Sequence, residues 1–121
     1  MVQKATPPPQ LQLGYTILYV DRVEETIQFY KKAFGLKRRF IHESGYGELE
    51  TGQTTLAFCS HELAVSNGVS YQKNDFNSSS GFQISFTSED VGNDFQSAVD
   101  NGAVIVVNPK TPRLGDKLLP I

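Results

Sequence analysis

The stretch that decides the fold is residues 13–36, LGYTILYVDRVEETIQFYKKAFGL. Tyr15, Ile17 and Tyr19 alternate with Thr16, Leu18 and Val20, the period of a β-strand with two distinct faces. Asp21 is a good N-cap residue, and Glu24 three places on completes a capping-box spacing. Val23, Ile27, Tyr30 and Phe34 then recur at helical spacing as one apolar stripe. Gly35 stops the helix, and Lys31 and Lys32 sit where the helix dipole favours cations. A strand delivered so tightly into a helix lays that helix across one face of its own sheet and leaves the other face open.

The same grammar returns in residues 81–103, GFQISFTSEDVGNDFQSAVDNGA. Ile84 and Phe86 belong on the helix side of this second strand, with Gln83, Ser85 and Thr87 on the open side. Val91, Phe95 and Ala98 or Val99 make the helical stripe, Ser88 or Asp90 caps it and Gly102 ends it. A polar row on the open side is not an ordinary core lining.

Between the copies, LKRRFIHES, YGELET and TTLAFCS read as three strands joined by turns at Ser44-Gly45 and Gly52-Gln53. The first module is therefore β-α-β-β-β over 11–60. Residues 1–10, with Pro7 to Pro9, form an N-terminal arm, and the Ser- and Asn-rich 61–80 is an inter-module linker beginning at His61. In the second module, 81–121, AVIVVN is a β-prone run ended by Pro109. KLLPI is a last short strand, which Pro120 confines to a sheet edge. The expected class is α+β: two such modules forming a curved mixed-sheet cup with helices outside, the second shortened at its C-terminus.

With 121 residues, the chain has the length of one domain or two half-size modules sharing a core. Its 39% hydrophobic and 20% charged content is that of a globular protein. Net charge −2 argues against a nucleic-acid partner, and no apolar run is long enough for a membrane helix. One cysteine, Cys59, and a start without the apolar stretch of a signal peptide make a cytoplasmic location the expectation.

The β-α-β-β-β order headed by YTILYVDRVEETIQFYKKAFGL, together with GELETGQTTLAFCSHEL, GFQISFTSEDV and the helix ending in DNGA, resembles the vicinal oxygen chelate superfamily. That group holds glyoxalase I, the bleomycin-resistance proteins and the extradiol dioxygenases. The resemblance runs from Leu11 onward and implies a ligand inside a cup of paired modules. It also implies metal ligands on the first strand, the TTLAFCS strand and the second module's counterparts. Here those positions are Tyr15, Ala57 and Gln83, and the last falls on a strand that the sequence lacks. An alanine offers no donor, and tyrosine and carboxamide replace imidazole and carboxylate poorly. Neither a metal nor another cofactor is therefore expected.

The expected ligand site is the inner face: Tyr15, Ile17 and Tyr19 from the first strand, Glu48, then Thr55, Ala57 and Cys59, and Gln83 and Ser85 from the second module. Tyrosine rings supply aromatic walls with polar tips, which suits a small-molecule pocket for an aromatic or a cationic ligand. Glu48 and Glu50 on one strand face make either an acidic floor for a cationic ligand or a wet sheet face. His42 is a general-base candidate if Glu48 supports it across the hairpin, and otherwise an exposed strand histidine. Cys59 has no base near it in sequence and reads as an inert thiol. Metal-independent small-molecule binding by a homodimer is the leading expectation. A glyoxalase-like lyase or dioxygenase-type enzyme with an atypical site is the alternative, and a non-catalytic assembly protein the third reading.

Overall fold

The structure, a computed structural model, describes residues 10–73, 81–106 and the backbone of 118–120. Most of the N-terminal arm, the later linker and the turn-rich connection after Pro109 lie outside the described residues. The chain order is β1 (Tyr15–Val20), α1 (Val23–Phe34), β2 (Lys37–His42), β3 (Tyr46–Glu50), β4 (Thr55–Ser60), α2 (His61–Ser66), β5 (Ser85–Thr87), α3 (Val91–Asp100) and β6 (Leu118–Pro120). The first module is thus β-α-β-β-β as the periodicity predicts.

Its four strands form one mixed sheet in the order β1-β4-β3-β2, open rather than closed into a barrel. β1 and β4 run parallel with Tyr15 opposite Thr55 and Val20 opposite Ser60, while β3 is antiparallel to both β4 and β2. β5 and β6 pair antiparallel as a separate two-stranded sheet, Ser85 opposite Pro120, so Pro120 does lie on a sheet edge.

α1 crosses one face of the four-stranded sheet, and the core forms there. Val23, Ile27 and Tyr30 bury against Leu49, Leu56 and Phe58, with Leu18, Val20, Phe34 and Ile41 packed around them. Ile27, Leu49 and Phe58 are fully buried, each contributing about 1.5–3 kcal/mol by removal from water. Phe86 of β5 packs on Phe34 at 5.0 Å and Tyr30 at 6.4 Å between ring centroids, and α3 packs on α1, which joins the second module to the first. As expected, Ile84 and Phe86 are more buried than Gln83, Ser85 and Thr87. Gly35 adopts φ 69° and donates its N–H to the Lys31 carbonyl, the left-handed cap read from sequence.

Three local expectations change. The N-cap of α1 is Arg22, without a side-chain cap bond, because the Asp21 carboxylate turns instead to His61. The segment 61–80 opens with α2 rather than with irregular chain: Ser60 caps it, its hydroxyl accepting the Leu63 N–H at 3.1 Å. A helix of 6 residues is too short to show periodicity in sequence. Residues 103–106 of AVIVVN form no strand; Val104 and Val106 stand exposed, since no described strand pairs with them. Asp90 is the N-cap of α3, its carboxylate accepting from the Asn93 N–H, and so decides between the two caps foreseen. No helix among the described residues is long and apolar enough to cross a membrane.

Candidate functional site

The face of the four-stranded sheet away from α1 gathers seven of the nine expected residues. Strict alternation sends Tyr15, Ile17 and Tyr19 of β1 to this side, in register with Thr55, Ala57 and Cys59 of β4, and Glu48 of β3 lies opposite Ala57. Their accessibility divides them. Tyr15, Ile17 and Tyr19 are 56%, 43% and 36% exposed, whereas Glu48, Thr55, Ala57 and Cys59 are buried beneath flanking side chains. The β1 row and, across the sheet, Phe40 are exposed, and the β4 row between them is buried.

Gln83 and Ser85 lie elsewhere. With Thr16, Thr51, Thr54 and Thr55 they line a cleft of about 280 Å³ where β5 approaches the sheet, and the Gln83 amide donates to the Ser85 hydroxyl at 2.9 Å. Thr55 alone belongs to both surfaces. The cleft is rich in neutral hydroxyl and amide groups and has no ionic group among those six residues.

Arg39 is the site residue that sequence reasoning missed. A register shift between Arg38 and Phe40 inserts one extra residue into β2, and Arg39 and Phe40 both reach the open face. The guanidinium then satisfies both acidic groups of β3: 2.9 Å to Glu48, 2.9 Å to Glu50, and 3.0 Å to the Thr55 hydroxyl. The Tyr46 hydroxyl donates to the other Glu48 oxygen at 2.8 Å. Burial first, then this bond to a carboxylate, pushes the Tyr46 phenol well above its usual range. The acidic floor anticipated for a cation is already engaged, at both of its carboxylates, by the chain's own arginine. A bulge leaves no periodic mark, so only the run Lys37-Arg38-Arg39 hinted at a cation here.

His42 does not pair with Glu48. It lies opposite Tyr46 and bonds the Ser44 hydroxyl at 2.7 Å, which leaves it a turn-stabilising residue. Cys59 is buried, and desolvation pushes its thiol above the ordinary value, so it stays protonated. His61, expected to begin a linker, instead stands between Asp21 and Tyr71.

The family's metal positions, Tyr15, Ala57 and Gln83, do not fit a divalent transition metal. Ala57 carries no donor atom, and Gln83 lies in the cleft rather than beside Tyr15. Among the described residues no three of His, Cys, Asp or Glu cluster as a metal site.

Comparison with known proteins agrees with the topology. Among curated proteins none matches the chain. A glyoxalase/bleomycin resistance protein/dioxygenase family enzyme from Burkholderia phytofirmans PsJN superposes with a TM-score of 0.64 at 22% identity, covering 83% of this chain and 80% of that one. Hypothetical protein SA1046 from S. aureus gives a TM-score of 0.65 at 21% identity over 88% and 80% of the two chains. A glyoxalase/bleomycin resistance protein/dioxygenase from Nocardioides gives 0.62 at 15% identity over 86% and 70%. Such identities speak for the fold alone. The family model for the Glyoxalase/Bleomycin resistance protein/Dioxygenase superfamily matches residues 12–117. The chain belongs to that superfamily.

Proposed function

We propose that this protein binds a small, planar, largely aromatic molecule on the open face of its four-stranded sheet without a resident metal. The observation that carries the reading is the exposed row Tyr15, Ile17 and Tyr19, set on the face that does not pack on α1 and ringed by satisfied polar groups. Exposed apolar side chains gathered beside an ordered polar network suit a ligand better than they suit water. Because Arg39 already occupies the Glu48 and Glu50 carboxylates, an aromatic ligand is favoured over a cationic one. Sequestration rather than turnover follows from the poor donor set at the family's metal positions.

The experiment is a thermal-shift screen of planar aromatic compounds, read beside elemental analysis of the purified protein. A true ligand at about a hundred times its Kd adds roughly 2.7 kcal/mol of stability. A panel with no stabilising compound removes support for binding, and a stoichiometric transition metal favours the lyase or dioxygenase-type reading.

A homodimer is part of the proposal. β1 is an outermost strand whose outer edge is unpaired among the described residues, and exposed edges invite a second copy. A light-scattering mass of one chain at micromolar concentration refutes it.

A further inference from the structure

The parallel register of β1 and β4 runs one step beyond the last ladder pair. Val20 lies opposite Ser60, so Asp21 and His61 leave the sheet side by side although 40 positions separate them in sequence. The Asp21 carboxylate oxygen stands 3.2 Å from His61 Nε2. His61 is the first residue of α2, held in place by the Ser60 cap. Tyr71 returns over this point: its ring stacks on Tyr19 at 4.4 Å and on His61 at 5.5 Å, and its hydroxyl is hydrogen-bonded to His61 Nδ1.

Chemistry orders these bonds. An ionised carboxylate only accepts, so Nε2 carries the proton and Nδ1 offers its lone pair, to which the Tyr71 hydroxyl donates. Carboxylate, imidazole and hydroxyl in this sequence are the orienter, base and proton donor of acid–base sites generally. The His61 side chain is 13% exposed and that of Asp21 85%, so the chain of bonds is shielded at the ring and open to water at the carboxylate. Tyr19 and Asp21 from the β1 end and Cys59 from β4 are the ionisable groups around Tyr71. With desolvation as the leading cause, they hold its hydroxyl above the ordinary tyrosine value. The phenol therefore keeps its proton until a ligand supplies another.

We infer that Asp21, His61 and Tyr71 form a proton relay at the end of the Tyr15–Tyr19 row, serving a planar ligand that bears a weakly acidic hydroxyl. In the step, the ligand O–H proton passes to the Tyr71 oxygen as the Tyr71 proton passes to His61 Nδ1. The ligand is left as its oxyanion and His61 as an imidazolium paired with Asp21; no electrons are transferred and no other bond breaks. The inference rests on the small-molecule reading and adds the class of ligand and the groups that ionise it.

The test uses p-nitrophenol, whose anion is coloured, with the full chain, at a pH where the free probe is mostly protonated. Equilibrium dialysis measures binding and absorbance measures ionisation. Wild type is expected to raise the anion-to-phenol ratio of bound probe by roughly tenfold, one pKa unit. Tyr71→Phe and His61→Gln are expected to bind the probe in its neutral form. Equal ionisation in all three proteins, with binding intact, overturns the relay alone. No binding by wild type overturns the small-molecule reading and the relay with it. Nitrogen NMR of the unliganded protein adds a check that needs no probe: His61 protonated at Nδ1 rather than Nε2 overturns the assigned direction.

Discussion

Gly47 of β3 runs so close beneath Ile27 of α1 that a methyl group placed on it meets the Ile27 Cδ1 atom at 2.5 Å and the Val23 Cγ1 atom at 3.0 Å. The helix lies this near the sheet because β3 offers no side chain at that point, and the closeness is what fully buries Ile27. Gly47→Ala is therefore expected to overpack the core and cost about 1–3 kcal/mol, read as a lower midpoint in denaturant without a changed slope.

Tyr46→Phe removes the hydroxyl that donates to buried Glu48. At neutral pH the loss is roughly 1.5–3 kcal/mol, the scale of a hydrogen bond to a charged acceptor. The pH dependence has a definite sign. The folded chain holds the Tyr46 proton that the unfolded chain releases near the usual value of about 10. The stabilisation is thus complete below that value and lost as pH rises through the folded-state value. The gap between wild type and Tyr46→Phe narrows in alkali; a gap constant across that range contradicts the argument.

Arg39→Lys is not a conservative change. A guanidinium reaches Glu48, Glu50 and Thr55 at once through separate N–H groups, and a single ammonium on a flexible stem does not span them. The variant is expected to melt below wild type in circular dichroism, with the difference shrinking at high salt only for the exposed Glu50 arm.

Ser60→Ala withdraws the acceptor from the Leu63 N–H at the start of α2. The cost is about 0.5–2 kcal/mol. Because Ser60 fixes the backbone carrying His61, the variant is also expected to weaken the Asp21–His61 contact, visible as a changed His61 nitrogen spectrum.

Ile17→Ser separates binding from folding. Ile17 is half exposed and lies outside the core, so stability is expected to stay within about 0.5 kcal/mol of wild type. The affinity for any compound that stabilises wild type is expected to fall. A variant with unchanged affinity places the ligand elsewhere, with the threonine-lined cleft the next surface to probe.

The parts of this fold that declare themselves in sequence are those governed by local period. β1 and α1 alternate and recur cleanly, the two hairpin turns carry glycine, and Ile84 and Phe86 reveal their buried side by contrast with Gln83 and Ser85. What stayed hidden depends on partners distant along the chain. Asp21 has every property of a helix cap, yet His61, brought near by the parallel strands, competes for its carboxylate. Residues 103–106 of AVIVVN have strong strand preference, yet preference forms no strand there without a neighbouring ladder. Of the nine expected ligand residues, strand alternation alone places the seven on the sheet. Gln83 and Ser85 depend on where β5 docks, which no local pattern states.

The extra residue in β2 has a last consequence. In a regular strand, neighbours point to opposite sides, so a cation and an aromatic ring cannot follow one another and serve the same surface. Deleting one position between Arg38 and Phe40 would force the chain to forfeit either the counter-ion of Glu48 or the ring beside it. The charge pairing of this surface is thus encoded in the length of a strand as much as in its composition.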